Sequence, residues 1–82
     1  MNGTTFTARG RLRGYRMAVT LLSGGSYNVG INGWLLQTCD TPWQAVSVCQ
    51  ERIRMLTGGL LETPKVSPAF RAKVLALPSR ND

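Results

Sequence analysis

The chain contains no histidine, and acids are scarce: four Asp and Glu stand against ten Lys and Arg in 82 residues, a formal net charge of +6. Without histidine, a serine or cysteine nucleophile lacks its ordinary base, and a zinc site loses one of its two main donors. The acids are scattered along the sequence. Asp40 reads as a helix cap, Glu51 as a helix-surface residue, Glu62 as a loop residue and Asp82 as part of a polar tail. None of the spacings pairs two carboxylates for acid–base work. The two cysteines, Cys39 and Cys49, match no zinc spacing. A disulfide between them is disfavoured as well. Cys49 falls ~10 Å up a helix that begins just after Cys39, whereas bridged Cα atoms lie within ~7 Å. Two reduced, buried thiols are expected. No apolar run approaches the ~20 residues of a membrane span, and no apolar signal-peptide core precedes Arg9. The expectation is a cytoplasmic protein with no membrane partner, no metal and no cofactor that binds and does not catalyse.

The residues that are present describe a folded domain. Apolar residues make up 43% of the chain, the usual share for globular proteins. The length suits one domain, 1–82, with one modest core. Strands are expected over about 4–39. The first lies within Thr4 to Leu12, where Gly10 and Gly14 permit a bend or bulge. Tyr15 to Leu22 follows, then a Ser23-Gly24-Gly25-Ser26 turn, which lacks the lysine and the strand-to-helix setting of a phosphate loop. Tyr27 to Ile31 and Trp34 to Cys39 flank Asn32-Gly33, a strong hairpin signal. Asp40-Thr41-Pro42 opens a helix running to about Leu56, with an apolar stripe of Ala45, Val46, Cys49, Ile53 and Leu56. Gly58-Gly59 closes it. A connector over 58–67 leads to a short helix from Pro68 to about Leu77, and a polar tail follows over 78–82. Tight consecutive hairpins imply an α+β fold: a three- to four-stranded antiparallel meander packed against one long helix, followed by a short C-terminal helix.

The densest chemical feature is Arg9-Gly-Arg-Leu-Arg-Gly-Tyr-Arg16, with four bases in eight positions and no acid. In a strand, side chains alternate with period two, so Arg9, Arg11 and Arg13 share one face. Arg16 breaks the alternation and joins them only if a bulge at Gly14 restores the register. Each guanidinium is a planar donor fork suited to phosphate or carboxylate. The competing role is protection of a sheet edge, which basic residues also provide. Arg71 and Lys73 extend the basic footprint if the second helix lies beside the first strand. The tryptophans belong by default in the core of so small a domain. Trp43, however, lies beside the helix's apolar stripe, and with Val46 and Gln50 it forms a candidate aromatic patch for a protein partner.

In length, basic balance and overall character, across the whole chain, the sequence resembles the Lxc (Bof) corepressors of enterobacterial plasmid-prophages. That resemblance implies a bacteriophage protein acting in transcription regulation in the bacterial host cytoplasm. Its partner would be the phage immunity repressor on operator DNA, with little DNA affinity of its own. No site residue carries over from it. The assignments of Arg9, Arg11, Arg13 and Arg16 to DNA phosphates, and of Trp43, Val46 and Gln50 to the partner, rest on residue chemistry alone. Two other readings fit a small basic binder. One is a phage protein that inhibits a host nuclease or defence complex by protein–protein binding, and the other is a stand-alone nucleic-acid-binding module. Against the last, the strands lack paired exposed aromatics of the kind that sheet-type RNA readers use.

Overall fold

The computed structural model describes residues 6–59 and 62–77. Thr4, Thr5 and the 78–82 tail of the sequence reading lie outside them. The architecture is α+β, in the order β1 (Phe6–Leu12), β2 (Tyr15–Leu21), β3 (Tyr27–Ile31), β4 (Trp34–Cys39), α1 (Pro42–Leu56) and α2 (Pro68–Leu75). The four strands form one antiparallel sheet in sequence order, β1-β2-β3-β4.

Turn chemistry sets the register. β1 and β2 are joined by Arg13 and Gly14, with φ of 54° and 84°, and β3 and β4 by Asn32 and Gly33, with φ of 52° and 85°. Both pairs have the positive φ values of the primed turns that match strand twist. The β1–β2 ladder then runs without interruption from Phe6 opposite Leu21 to Leu12 opposite Tyr15. The bulge that Gly14 would have permitted is absent, because the residue is used as a turn. The sheet's irregularity lies between β3 and β4 instead, where Val29 pairs with Gln37 but Gly30 with Leu35. Asn32 also secures its own turn: its Oδ1 accepts from the Arg16 amide at 2.9 Å, and its amide donates to the Arg16 carbonyl at 2.8 Å.

One face of the sheet is covered. Ala8, Met17, Val19, Tyr27, Val29, Ile31 and Cys39 point inward and are buried with Ala45, Val46, Cys49 and Ile53 of α1 and Phe70 and Val74 of α2. α1 packs mainly on β3 and β4, and α2 packs on β1. A full capping box starts α1: Thr41 Oγ1 accepts from the Gln44 amide at 3.1 Å, and Gln44 Oε1 accepts from the Thr41 amide. Ser67 caps α2 with one bond, its Oγ accepting from the Phe70 amide at 3.1 Å. Gly10 sits beneath Phe70. A Cβ at this position would lie 2.9 Å from Phe70 Cγ and 3.1 Å from its Cβ, with Cδ1 closer still. Glycine therefore serves close approach of helix to strand here. No helix among the described residues is long and apolar enough to cross a membrane.

Candidate functional site

With both helices on one side, the other face of the sheet is left without a covering element among the described residues. Alternation and register place Thr7, Arg9 and Arg11 of β1 on this open face, with Arg16, Ala18 and Thr20 of β2, Asn28 and Gly30 of β3, and Leu35 and Thr38 of β4. None of these ten residues is acidic.

Three arginines converge on this face. Arg9 and Arg11 stand two residues apart on β1, and Arg11 lies directly opposite Arg16 across the ladder. Arg16 thus reaches the arginine face through the hairpin: an antiparallel partner presents its side chain on the same face as the residue it pairs with. The three line a shallow concavity of ≈ 510 Å³, completed by Gly10, Met17, Ala18 and Gly33. Its floor is low because Ala18, opposite Arg9, and the Gly33 turn present little side-chain bulk. All three arginines are exposed. The ion pair formed among the described residues joins Arg54 to Glu51 on α1, away from this face. Opposed like charges on neighbouring strands cost stability, and an anion seated between the guanidiniums removes that cost.

Arg13 does not belong to this group. The strand ends at Leu12, and Arg13 occupies the turn with left-handed backbone. It borders a separate concavity with Glu62, Thr63, Pro64 and Lys65 of the connector. The sequence pattern extended the period-two stripe one residue too far because a turn of Arg-Gly carries a weaker signal than one of Asn-Gly.

The expected aromatic patch is also redrawn. Trp43 is 59% exposed, but Val46 is only 6% exposed and belongs to the core. Gln50 is half-buried, and its Oε1 accepts from the Val66 amide at 3.0 Å, which ties the connector to α1. The row Trp43, Val46, Gln50 is thus turned toward the α2 side, and Arg71 of α2 stacks over the Trp43 ring at 5.5 Å from its centroid. Arg71 is engaged with the indole on the helical side of the sheet, so it does not extend the arginine face. Trp43 instead borders a groove of ≈ 460 Å³ with Gln37, Thr38, Cys39, Asp40, Gln44, Ser47 and Val48. Trp34, expected in the core, is 77% exposed beside Leu35 at 65%. It follows the Asn32-Gly33 turn at the sheet's end, where α1 no longer covers it.

Both thiols are free and buried. Burial, reinforced by the nearby Cys39, pushes the Cys49 thiol up to about 12. Cys39 is also raised, chiefly by burial, with the Gln37 hydrogen bond opposing and Asp40 adding to the effect. Neither has the lowered pKa of a nucleophilic cysteine. Among the described residues, no group of three or more Cys, Asp or Glu side chains could hold a metal ion. Comparison of the chain with protein-family models, with curated proteins and with solved structures finds no match.

Proposed function

We propose that this protein is a transcriptional corepressor that clamps DNA phosphates with Arg9, Arg11 and Arg16 while docked on a DNA-bound phage repressor. The observation that supports the clamp is the exposed cross-strand pair Arg11–Arg16, joined by Arg9, on a sheet face that carries no acid among the described residues. Three guanidinium forks on a rigid antiparallel ladder suit the phosphate backbone. Among the described residues the face has no aromatic residue for base stacking, and no helix stands on it to enter a groove. Sequence choice therefore stays with the repressor, and this protein adds affinity. Docking raises the effective phosphate concentration to the ~mM range, where three contacts that are weak alone become significant. The identity of the partner follows the resemblance to Lxc-type corepressors.

The test is a gel-shift series with repressor and operator across salt concentrations, with and without this protein. The wild type should steepen the salt dependence of the complex by up to about 0.9 per phosphate contacted, or roughly 2.7 for three. Replacing Arg9, Arg11 and Arg16 by alanine should remove that increment, whereas Arg13→Ala should retain it. An unchanged slope in the triple variant refutes the clamp. A second readout needs no partner: Arg11→Ala relieves the cross-strand repulsion and should raise stability by ~0.2–1 kcal/mol at low salt, with the gain fading as salt is added.

A further inference from the structure

We propose that this protein forms a two-fold symmetric homodimer through the outer edge of β4, with Trp34 of each copy seated in the groove beside α1 of the other. The dimer goes beyond the proposed function and depends on neither the arginine clamp nor a repressor.

The two edges of the sheet differ in charge. β1 carries Arg9 and Arg11, which discourage strand addition. β4, the other edge, has no charged residue in Trp34–Cys39, and among the described residues no strand pairs with its outer side. In a chain of net charge +6, an uncharged edge lets two copies meet with the least repulsion. β4 also carries Trp34 at 77% and Leu35 at 65%, the two most exposed large apolar side chains among the described residues.

Register decides how two copies fit. Leu36 is an extra residue in β4, since Val29 pairs with Gln37 and Gly30 with Leu35. A bulge in an edge strand ordinarily spoils its outer side. Antiparallel pairing of β4 with itself, centred between Leu36 and Gln37, sets the two bulges at the same level, so they compensate. Trp34 then lies opposite Cys39 of the second copy, and Leu35 opposite Thr38. The faces agree. Trp34 and Cys39 pair with the buried Ile31 and Tyr27, so both belong to the helical side, whereas Leu35 and Thr38 belong to the open side. The backbone agrees as well. Asn32 gives its amide to Arg16 of β2. Orientation alternates along a strand, so Ile31, Val29 and Tyr27 turn their backbone groups to β4. Leu35 and Thr38, which pair with Gly30 and Asn28, therefore turn theirs outward. These are the two residues that the symmetric pairing sets opposite each other.

The same register joins a knob to a hole. Cys39 lines the groove of ≈ 460 Å³ with Asp40, Trp43, Ser47 and Val48. Trp34 of one copy is thus brought to the groove of the other, and the two-fold axis repeats the contact. Arg71 leaves room for it: with that guanidinium over the ring, Trp43 is still 59% exposed. Trp43 and Val48 offer apolar walls, and Asp40 offers an acceptor for the indole N–H. Each Trp34 takes roughly 150–250 Å² out of water and covers a similar area of groove. With Leu35 and the strand edge, the contact totals on the order of 1,200 Å², the lower end of specific interfaces, which suits a reversible dimer.

Sedimentation of the purified protein, from micromolar to millimolar loading, tests this. The wild type should pass from monomer to dimer, and added salt should tighten the dimer by screening the repulsion between two cationic copies. Trp34→Ala removes the knob, and Ser47→Arg fills the groove from an exposed helix position. Each should weaken the dimer tenfold or more while leaving the far-ultraviolet circular dichroism and the melting temperature near those of the wild type. The double variant should be little worse than either single one, because both changes act on one contact. The Arg9/Arg11/Arg16 alanine variant should dimerise at least as well as the wild type, which separates failure of the clamp from failure of the dimer. A wild type that stays monomeric at millimolar concentration overturns the inference, as does a dimer that both single variants leave intact. A monomeric wild type whose repressor binding is weakened by Trp34→Ala assigns the edge to the repressor and overturns it too.

Discussion

Gly10→Ala places a methyl group on the inward face of β1, where the nearest atoms belong to Phe70. The built Cβ lies 2.9 Å from Phe70 Cγ and 3.1 Å from its Cβ, and closer to Cδ1. Carbon atoms pack at about 3.5–4.0 Å, so the ring or the strand has to withdraw by roughly 1 Å. Phe70 is 2% exposed, and the Ser67 cap holds its amide, so the ring has no empty space to enter. Overpacking of this kind costs about 1–3 kcal/mol. Loss of glycine's unfolded-state freedom returns about 0.4–1 kcal/mol. The net is a destabilisation of about 1–2 kcal/mol. In a domain of this size that lowers the melting temperature by about 4–16 °C, at 4–8 °C per kcal/mol. Thermal unfolding followed by circular dichroism measures it. Phe70→Leu in the same chain should recover part of the loss, because the two residues share one contact and their effects are not additive. A neutral Gly10→Ala, or strict additivity with Phe70→Leu, would refute the claim that this ring presses on β1. Arg9 and Arg11 flank Gly10 on the opposite face, so the same displacement should also weaken anion binding.

Three further outcomes follow from buried and half-buried groups. Gln50→Met keeps the volume but removes the acceptor for the amide of Val66, a buried residue, bonded at 3.0 Å; chemical denaturation should show a loss of about 1–3 kcal/mol. The Cys49 thiol is raised to about 12 in the folded protein, above its ordinary value of ~8.5. The unfolded chain therefore releases this proton first, and the thiol's contribution to stability is complete below about pH 8.5 and declines toward pH 12. The difference in stability between the wild type and Cys49→Ala should shrink over that interval, and a constant difference would exclude the linkage. In the native state below pH 9, both thiols should react with a disulfide reagent no faster than the protein opens.

The elements were legible wherever a local signal was strong. Asn32-Gly33, Asp40-Thr41-Pro42 and Ser67-Pro68 each specify a backbone conformation through residues adjacent in the chain, and the turn and the two helix starts lie where those residues put them. The difficulties arose where a local pattern had more than one solution. Arg13-Gly14 could continue a strand, bulge or turn, and hydrogen bonding along the whole β1–β2 ladder selects the turn. Helical periodicity placed Val46 and Gln50 on a face with Trp43. Whether that face meets water or α2 depends on the path of the connector. Gly10 showed only that a side chain was missing; the reason for its absence is a ring sixty residues away in the sequence.

The sequence by itself determined the charge balance, the order of strands and helices, and the lack of a histidine-based catalytic set, because composition and short-range backbone preferences are properties of neighbours. Only the tertiary structure decided which arginines act together. Arg13 is nearest to Arg11 in the period-two pattern yet turns away, and Arg16, out of phase in sequence, is carried back beside Arg11 by the hairpin. A cross-strand pair is a contact between distant residues, and its register is set by a turn and a ladder that no single stretch of sequence encodes.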